Sequence, residues 1–333
     1  MNILILGAGA WGSTLAYVFS QSGKNVTLWS HNPNKLDAID SNSFYIKDHK
    51  ISFNQNLKTE KNLVRGIINN QIIIFCSTSQ TLRSLSNSVN ECFKAEKLNV
   101  SEYYLISGVK GLELSSFLTM SQILNEVFNI ENASVISGPN LALEILSNLP
   151  CASVIACKDD EKLNILQHNL TCRNLRLYAN NDIIGVEIGA AYKNVIAIAC
   201  GICDGLNLGY NAKASLLTRG IKEMARVVEL FGGQKQTVYG LSGLGDLIAT
   251  SSAPLSRNYS LGYYLANDMP IAQVEKKLDA QIEGIPTSYA IMEYTRLNNI
   301  DLPITTQVYN VLTKQKSPTD AIKALMTRPL VKE

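Results

Sequence analysis

At 333 residues the chain is long enough for two domains, each with its own hydrophobic core. A composition of 46% hydrophobic and 17% charged residues is that of an ordinary globular protein, and a net charge of +2 is too small to indicate a nucleic-acid partner. The longest apolar run, Val195 to Cys203, is shorter than the roughly 20 residues of a membrane-spanning helix, so we expect no stable membrane insertion. Seven cysteines without a disulfide-like framework, and an N-terminus without a positively charged signal region, predict a reduced, cytoplasmic protein.

The chain begins with a short apolar strand that leads directly into a glycine-rich turn. The run Ile3–Leu6 precedes the sequence GAGAWG, which has the G-x-G-x-x-G spacing of dinucleotide-binding turns. In that motif Gly7 permits a tight turn, Gly9 lets a pyrophosphate approach the backbone, and Gly12 lets the helix pack against the strand. The N-terminus of the following helix favours an anion. We therefore predict a dinucleotide site here, with a ligand-free glycine turn as the alternative.

Strand-like and helix-like segments alternate through the first half of the chain. The predicted helices include Thr81–Phe93 and Phe117–Val127, and the predicted strands are Asn2–Leu6, Val26–Trp29, Ile72–Cys76, Tyr103–Ile106, Ser134–Ile136 and Ser153–Ala156. Apolar strands separated by helical connections predict an α/β fold, a doubly wound (Rossmann-like) parallel sheet covered on both faces. Ligands of such sheets bind beyond the carboxyl ends of the strands.

Helical periodicity replaces this alternation after about residue 180. One apolar helix is predicted from Ile183 to about Ile202, and another from Ala212 to Phe231, where Gly232-Gly233 ends it. From Ile183 onward the sequence has no clear strand pattern. We predict a dinucleotide-binding domain over residues 1–182 and an all-helical substrate-binding domain over residues 183–333.

The end of the second predicted strand bears on the choice of cofactor. In NAD-binding versions of the fold an acid about 20 residues beyond the turn holds the ribose 2′-hydroxyl. The segment Ser30-His31-Asn32 has no acid, and His31 and Asn32 offer hydrogen-bond donors to a 2′-phosphate. This favours NADP, but the segment also lacks an arginine, so NAD stays open. The alternative is that His31 is an ordinary exposed loop residue.

One lysine interrupts the apolar helix predicted to begin at Ile183. Lys193 follows a run of small and apolar residues, and an unpaired ammonium is costly to bury. A buried lysine that gives up its proton readily is suited to general acid–base catalysis. The alternative is a lysine whose stem packs against the protein while its ammonium reaches solvent.

Further polar residues lie in glycine-rich or loop segments. Asp246 lies in the segment Gly240–Leu247, whose glycines indicate a backbone held close to a ligand or another helix. The cluster Ser256-Arg257-Asn258 combines a hydroxyl, a guanidinium and an amide, and arginine suits bidentate recognition of phosphate. A capped helix start is the alternative interpretation of this cluster.

Two more candidate segments follow predicted strands, where the catalytic cleft is expected. They are Gly108–Gly111, which contains Lys110, and Ser137–Asn140. By contrast, the C-x-x-C pair Cys200 and Cys203 lies in an apolar helix and has no second pair, so it is interpreted as structural and no metal site is predicted.

In order along the chain, these segments resemble the NAD(P)-dependent sn-glycerol-3-phosphate dehydrogenase family in its bacterial form. The motifs that carry the resemblance are GAGAWG, VKG, SGPNLA, AAYKNVIAIACGICDG, NAKASLLTR, GLGDL, SRN and IEG. The resemblance implies interconversion of sn-glycerol 3-phosphate and dihydroxyacetone phosphate by hydride transfer with NADP or NAD. It also implies a cytoplasmic homodimer that supplies glycerol 3-phosphate for phospholipid synthesis.

The resemblance further implies roles for individual residues. Lys193 is the expected catalytic proton acceptor for the C2 hydroxyl, and the proton donor in the reverse direction. The positions that match substrate contacts are Lys110, Gly138, Asn140, Lys193, Asp246, Ser256, Arg257 and Asn258. The expected cofactor contacts are the turn glycines Gly7, Gly9 and Gly12 together with Ala10, Trp11, His31, Lys110, Ala142, Arg257, Gln281 and Glu283. Asn140 departs from the pattern, because many bacterial relatives carry Ser or Thr there.

Two other functions are weighed against this one. The first is a two-domain dehydrogenase acting on a hydroxy acid, against which the combination of Lys193, Asp246 and Arg257-Asn258 argues. The second is a dinucleotide sensor without catalysis, in which the lysine and the acid would have no purpose.

Overall fold

The computed structural model describes residues 1–40, 43–46, 49–52, 54–252, 256–278, 281–330 and 332; between residues 38 and 52 it describes only backbone. The chain forms two compact units. The first comprises Met1–Lys110 and Thr119–Val186, and the second comprises Gly111–Leu118 and Glu187–Glu333. The division falls inside a helix, a few residues beyond the predicted boundary after residue 182, and a short segment of the first half belongs to the second unit.

The first unit is built on an eight-stranded sheet with the strand order β10-β9-β8-β7-β6-β1-β2-β5, while β3 and β4 form a separate antiparallel pair. Its elements are β1 (Ile3–Leu6), α1 (Ala10–Gln21), β2 (Val26–Trp29), α2 (Pro33–Asp40), β3 (Ser43–Ile46), β4 (His49–Ser52), β5 (Leu57–Glu60), α3 (Leu63–Ile68), β6 (Ile72–Phe75), α4 (Leu82–Ala95), β7 (Tyr104–Ser107), α5 (Met120–Phe128), β8 (Ser134–Ser137), α6 (Ala142–Leu146), β9 (Cys151–Ala156), α7 (Asp160–Leu170) and β10 (Leu175–Asn180). The chain starts at β1, adds β2 and β5 on one side, and then continues from β6 on the other. The strand order therefore reverses between β1 and β6, at the switch point of a doubly wound sheet.

The central strands are buried on both faces, as their continuous apolar sequences predict. All four residues of β1 and of β6 are buried. On one face Ile5 belongs to the same buried cluster as Phe19 of α1. On the other face Phe75 contacts Phe128 of α5 edge to face, with ring centroids 6.2 Å apart. The six predicted strands are confirmed to within one or two residues at their ends.

One pair of strands departs from the predicted parallel sheet. β8 and β9 are antiparallel, with Ile136 opposite Ile155, whereas the other neighbouring pairs in this sheet are parallel. The only helix between them, α6, has five residues and so spans about 7.5 Å, less than the roughly 13 Å of a four-residue strand. Such a short helix does not carry the chain back to the opposite end of the sheet, and β9 therefore runs in the reverse direction.

In the part of the chain that the structure describes, every regular element after residue 182 is helical, as predicted. The α-helices are α8 (Ile183–Gly205), α9 (Gly209–Leu230), α10 (Asp246–Ser252), α11 (Arg257–Ala266), α12 (Ile271–Leu278), α13 (Gly284–Leu297), α14 (Pro303–Leu312) and α15 (Pro318–Met326). A 3-10 turn at Lys235–Tyr239 and a π-helical turn at Leu241–Gly245 lie between α9 and α10.

Helix α8 is the core helix of the second unit. It is long and apolar enough to cross a membrane, but 94% of its most apolar window is buried inside the protein. Its contact with α11 is a close contact between backbones. A Cβ on Gly201 would lie 2.0 Å from the carbonyl oxygen of Tyr259, and a Cβ on Gly262 would lie 1.9 Å from that of Ile198. Only glycine fits at these two positions, and α8 and α11 therefore pack at a fixed, short separation.

Candidate active site

The glycine turn joins the carboxyl end of β1 to the N-terminus of α1. Gly7 has a φ of +124°, and a Cβ there would lie 2.5 Å from the carbonyl oxygen of Cys76. A Cβ on Gly12 would lie 2.0 Å from the carbonyl oxygen of Gly7, whereas a Cβ on Gly9 would meet no atom within 4 Å. The fold therefore requires glycine at the first and third positions, while the space beside Gly9 is open, as close approach of a pyrophosphate requires.

Hydrogen-bond donors are available at the start of α1. The helix begins at Ala10 with Gly9 as its N-cap, without a side-chain cap and without an acid in the first turn. The indole nitrogen Nε1 of Trp11 is buried and finds no hydrogen-bond acceptor among the residues that the structure describes. Uncapped backbone N–H groups and the positive end of the helix dipole favour a bound anion. These features fit a dinucleotide whose diphosphate lies on the turn.

The loop after β2 presents His31 to solvent. Ser30 beside it is buried, and its Oγ accepts a hydrogen bond of 3.2 Å from the backbone N–H of Asn32. The exposed position of His31 suits contact with a ribose 2′-phosphate and equally suits an ordinary loop residue.

The loops that follow β7 and β8 are linked by side chains. Lys110 Nζ donates to the carbonyl oxygen of Gly138 at 2.9 Å. Asn140 Oδ1 accepts from Ser153 Oγ of β9. The other end of that carboxamide, Nδ2, is buried and has no hydrogen-bond partner in the described part of the chain. Ala142, the remaining predicted residue of this region, begins α6.

Lys193 of α8 forms a buried ion pair. Its Nζ lies 3.1 Å from Asp246 Oδ1 and donates to Thr250 Oγ1 at 2.6 Å, while Thr250 Oγ1 donates to Asp246 Oδ1 at 3.1 Å. The side chains of Lys193 and Asp246 are only 8% and 3% exposed. The alternative in which the ammonium reaches solvent is therefore wrong, and the carboxylate compensates the buried positive charge.

The turn before Asp246 packs against α8 on one side and against the preceding 3-10 turn on the other. A Cβ on Gly189 would lie 3.4 Å from the Cα of Gly243, and a Cβ on Gly243 would lie 2.2 Å from the carbonyl oxygen of Val238. Of the two predicted reasons for these glycines, Gly243 shows close approach to another helical segment, the 3-10 turn Lys235–Tyr239. Asp246 is the first residue of α10 and Thr250 lies one turn later, so both face the lysine from the same side of the helix.

A chain of amides connects α8, α11 and α13. Asn258 Nδ2 donates to Asn194 Oδ1 at 2.8 Å, and Asn258 Oδ1 accepts from the backbone N–H of Gly284 at 2.9 Å. A Cβ on Gly284 would lie 2.5 Å from Asn258 Oδ1, so glycine is required for this bond. Because Asn194 directly follows Lys193, the network fixes the start of α11 relative to the lysine.

Arg257 lies at the exposed start of α11. Its Nη1 donates to the carbonyl oxygen of Gln281 at 3.0 Å. Desolvation by the surrounding protein lowers the pKa of the guanidinium and the Glu283 carboxylate raises it, but an arginine stays charged at neutral pH. Ser256 is the N-cap of this helix, because its Oγ accepts from the backbone N–H of Tyr259 at 3.2 Å. The capped-helix interpretation therefore holds for Ser256 and leaves the guanidinium of Arg257 available.

A second buried carboxylate lies beside Tyr192, the residue before the lysine. Glu223 accepts from the Tyr192 hydroxyl at 2.7 Å and from the backbone N–H groups of Ile304 and Thr305 at 2.6 and 3.2 Å. It thereby caps α14. Burial raises the pKa of the Glu223 carboxyl above its ordinary value, and these hydrogen bonds oppose the shift.

Among the polar residues that hold Lys193 and Asn140 in place, three were missed by sequence reasoning. Thr250 had a local signal, its i,i+4 spacing from Asp246, and Asn194 had its position next to the lysine. Ser153 had none, because its contact with Asn140 depends on the antiparallel pairing of β8 and β9. Cys200 and Cys203 are buried in α8, and no group of three or more potential metal ligands occurs in the described residues.

A doubly wound sheet with a dinucleotide turn, followed by a helical unit that buries a lysine, is the construction of a two-domain nicotinamide-dependent dehydrogenase. Comparison with protein families assigns it more closely. The model described as NAD-dependent glycerol-3-phosphate dehydrogenase N-terminus matches residues 2–163, and that described as the C-terminus matches residues 182–323. The chain belongs to the NAD-dependent glycerol-3-phosphate dehydrogenase family.

Individual relatives match over nearly their full length. The chain is 38% identical to a glycerol-3-phosphate dehydrogenase [NAD(P)+] of Trichormus variabilis, with 100% of this chain and 98% of the relative covered. It is 37% identical to one of Corynebacterium diphtheriae, with 98% of each covered. A crystal structure of the glycerol-3-phosphate dehydrogenase of Coxiella burnetii has a TM-score of 0.91 and 32% identity, covering 98% of this chain and 99% of that one.

Proposed function

We propose that this protein is an NAD(P)-dependent sn-glycerol-3-phosphate dehydrogenase that interconverts sn-glycerol 3-phosphate and dihydroxyacetone phosphate. The observation that carries the proposal is the buried Lys193–Asp246–Thr250 cluster in a chain of this family. Its physiological role is then to supply glycerol 3-phosphate for phospholipid synthesis.

The turn at Gly7–Gly12 would hold the nicotinamide cofactor, which when bound would supply the hydride for C2 of the ketone in the reductive direction. Lys193 holds a proton at the C2 oxygen and gives it up as that oxygen becomes a hydroxyl; in the oxidative direction it accepts this proton. Asp246 and Thr250 fix the ammonium by two hydrogen bonds, so its position is established before substrate binds.

We assign the remaining predicted residues to binding. Arg257 is the residue best suited to the substrate phosphate, because its guanidinium is charged, accessible and steadied by Gln281. The proposed substrate set is Lys110, Gly138, Asn140, Lys193, Asp246, Ser256, Arg257 and Asn258. The proposed cofactor set is Gly7, Gly9, Ala10, Trp11, Gly12, His31, Lys110, Ala142, Arg257, Gln281 and Glu283.

A steady-state assay of dihydroxyacetone phosphate reduction, run in parallel with NADH and NADPH, tests the function. Lys193→Ala should lower kcat by about 100-fold or more, the range of a lost general acid, while cofactor binding measured by NADPH fluorescence stays unchanged. Lys213→Ala is the matched control, because Lys213 forms a similar ion pair with Asp204 (2.6 Å) that is outside the proposed site. Full activity of Lys193→Ala would refute the assignment.

The same assay separates the alternative functions. A hydroxy-acid dehydrogenase would turn over 2-oxo acids in a substrate panel and leave dihydroxyacetone phosphate unreacted. A dinucleotide sensor would bind NAD(P)H tightly and reduce no substrate. The ratio of kcat/KM for NADPH and NADH decides the cofactor, for which the acid-free segment Ser30–Asn32 supports NADP.

We also propose that the enzyme is a cytoplasmic homodimer that binds neither nucleic acid nor membranes. The net charge of +2 supports the absence of a nucleic-acid partner. Sedimentation velocity of the purified chain tests the dimer, and a single species with the mass of one chain would contradict it.

A further inference from the structure

Strand β9 supports the loop that carries Asn140. We propose that Ser153 is a positioning residue for substrate binding: its hydroxyl orients the Asn140 carboxamide so that Nδ2 donates a hydrogen bond to an oxygen of the phosphorylated three-carbon substrate. This inference rests on the proposed function and names a residue that acts through Asn140 rather than by touching the substrate.

The orientation of the carboxamide is set by a buried contact. Ser153 is completely buried in β9, and its Oγ donates to Asn140 Oδ1. The thiol of Cys151, on the same strand, lies 3.6 Å from the same oxygen. With Oδ1 held by the strand, the amide end of the side chain is directed away from β9.

The amide end of Asn140 lacks a partner. Nδ2 is buried, and no acceptor for its two N–H groups occurs in the described part of the chain. Buried amide donors are almost always hydrogen-bonded, because an unmade bond leaves the cost of desolvation uncompensated. A substrate oxygen that accepts from Nδ2 removes this cost in the bound state.

The surrounding backbone holds the loop at a fixed distance from Ser153. Gly138 has a φ of +149°, and a Cβ there would lie 2.9 Å from the Cα of Ser153. The carbonyl oxygen of the same glycine accepts from Lys110 Nζ at 2.9 Å. Ser153 therefore packs against Gly138, whose carbonyl oxygen anchors Lys110, and it donates a hydrogen bond to Asn140.

The chemistry of a carboxamide explains why it needs this support. A hydroxyl side chain at position 140 would turn its single proton toward whichever acceptor is present. A carboxamide has distinct donor and acceptor ends, and it binds a substrate oxygen only when the donor end faces the substrate. Ser153 selects that orientation by occupying the acceptor end.

The test uses Ser153→Ala, Asn140→Ala and the double variant of the full-length enzyme, with NADPH as cofactor. Loss of the orienting bond should raise KM for dihydroxyacetone phosphate about three- to tenfold in Ser153→Ala, with kcat and KM for NADPH unchanged. Asn140→Ala should raise that KM at least as much. The double variant should be no worse than Asn140→Ala alone, because Ser153 acts only through the missing side chain.

Two further variants separate positioning from packing. Ser153→Thr keeps the hydroxyl and should retain a KM within about twofold of the wild type. Ser134→Ala removes a buried hydroxyl at the opposite end of the neighbouring strand β8 and should leave KM unchanged.

An unchanged KM in Ser153→Ala, or additive effects in the double variant, would overturn the inference while leaving the proposed function intact. A wild-type enzyme that does not reduce dihydroxyacetone phosphate would instead refute the proposed function itself.

Discussion

The three glycines of the turn after β1 look equivalent in the sequence, but the structure predicts different results when each is replaced by alanine. Gly9 has φ −82° and ψ 178°, a backbone conformation open to any residue, and a Cβ there meets nothing within 4 Å. The methyl group of Gly9→Ala would therefore occupy only the space assigned to the cofactor. The methyl group of Gly12→Ala would instead lie 2.0 Å from the carbonyl oxygen of Gly7.

The two substitutions should therefore affect different properties: Gly12→Ala should lower the stability of the protein, whereas Gly9→Ala should weaken cofactor binding. Relief of the Gly12 clash requires α1 to move by about 1 Å from β1, and overpacking of this kind costs about 3 kcal/mol. For a domain of this size, that corresponds to a fall in Tm of roughly 6–12 °C. Gly9→Ala should leave the Tm of the cofactor-free protein within about 1 °C, since the gain in backbone rigidity and the poorer N-cap nearly cancel.

Two measurements on each variant check the reasoning. Differential scanning calorimetry without cofactor gives Tm, and fluorescence titration with NADPH gives Kd. Gly9→Ala should weaken NADPH binding by about tenfold or more, because a methyl group holds the diphosphate away from the N–H groups of the helix start. Wild-type affinity in Gly9→Ala would show that the diphosphate does not lie beside Gly9. A wild-type Tm in Gly12→Ala would refute the packing argument.

Three other substitutions have defined outcomes. Thr250→Val removes the 2.6 Å acceptor of the Lys193 ammonium and should lower kcat for dihydroxyacetone phosphate reduction about 10- to 100-fold, whereas Thr250→Ser should retain most activity. His31→Asp places a carboxylate where a 2′-phosphate would bind, and the ratio of kcat/KM for NADH to that for NADPH should rise at least about tenfold; an unchanged ratio would exclude His31 from the cofactor site. Because burial raises the pKa of Glu223 above 4.5, the folded protein keeps this proton after the unfolded chain has released it, so the group's contribution to stability falls as pH rises from 4.5 through the raised pKa. The difference in Tm between the wild type and Glu223→Gln should therefore decrease as pH rises over that interval. A constant or increasing difference would contradict a raised pKa of Glu223.

The sequence predicted the central strands well because burial on both faces leaves a continuous apolar run. The edge strands β5 and β10 were missed, and only β5 for the opposite reason, the lack of such a run. β5, with the sequence LKTE, has a single neighbouring strand and carries two charged residues. β10 at the other edge alternates at first, with Leu175 and Leu177 buried and Arg176 and Tyr178 exposed, so its strand pattern was detectable.

The candidate site shows the same distinction between local and distant information. Lys193 was recognisable from its apolar surroundings, and Asp246 from the glycines around it. The hydrogen bond from Ser153 to Asn140 joins residues on β9 and in the loop after β8, and no periodicity or motif marks it. The antiparallel turn of the chain after α6 brings these residues together, and the sequence analysis predicted a parallel strand there.

The backbone contacts between α8 and α11 determine which positions of the second unit are free to change during evolution. No side chain larger than hydrogen fits at 201 or 262 without separating the two helices, which carry Lys193 and Arg257. The close contact between α8 and α11 therefore constrains the spacing of Lys193 and Arg257. Adaptation to a different substrate is confined to the side chains around these two residues. In a library that randomises the whole unit, variants with a new specificity should keep both glycines while residues beside Arg257 vary.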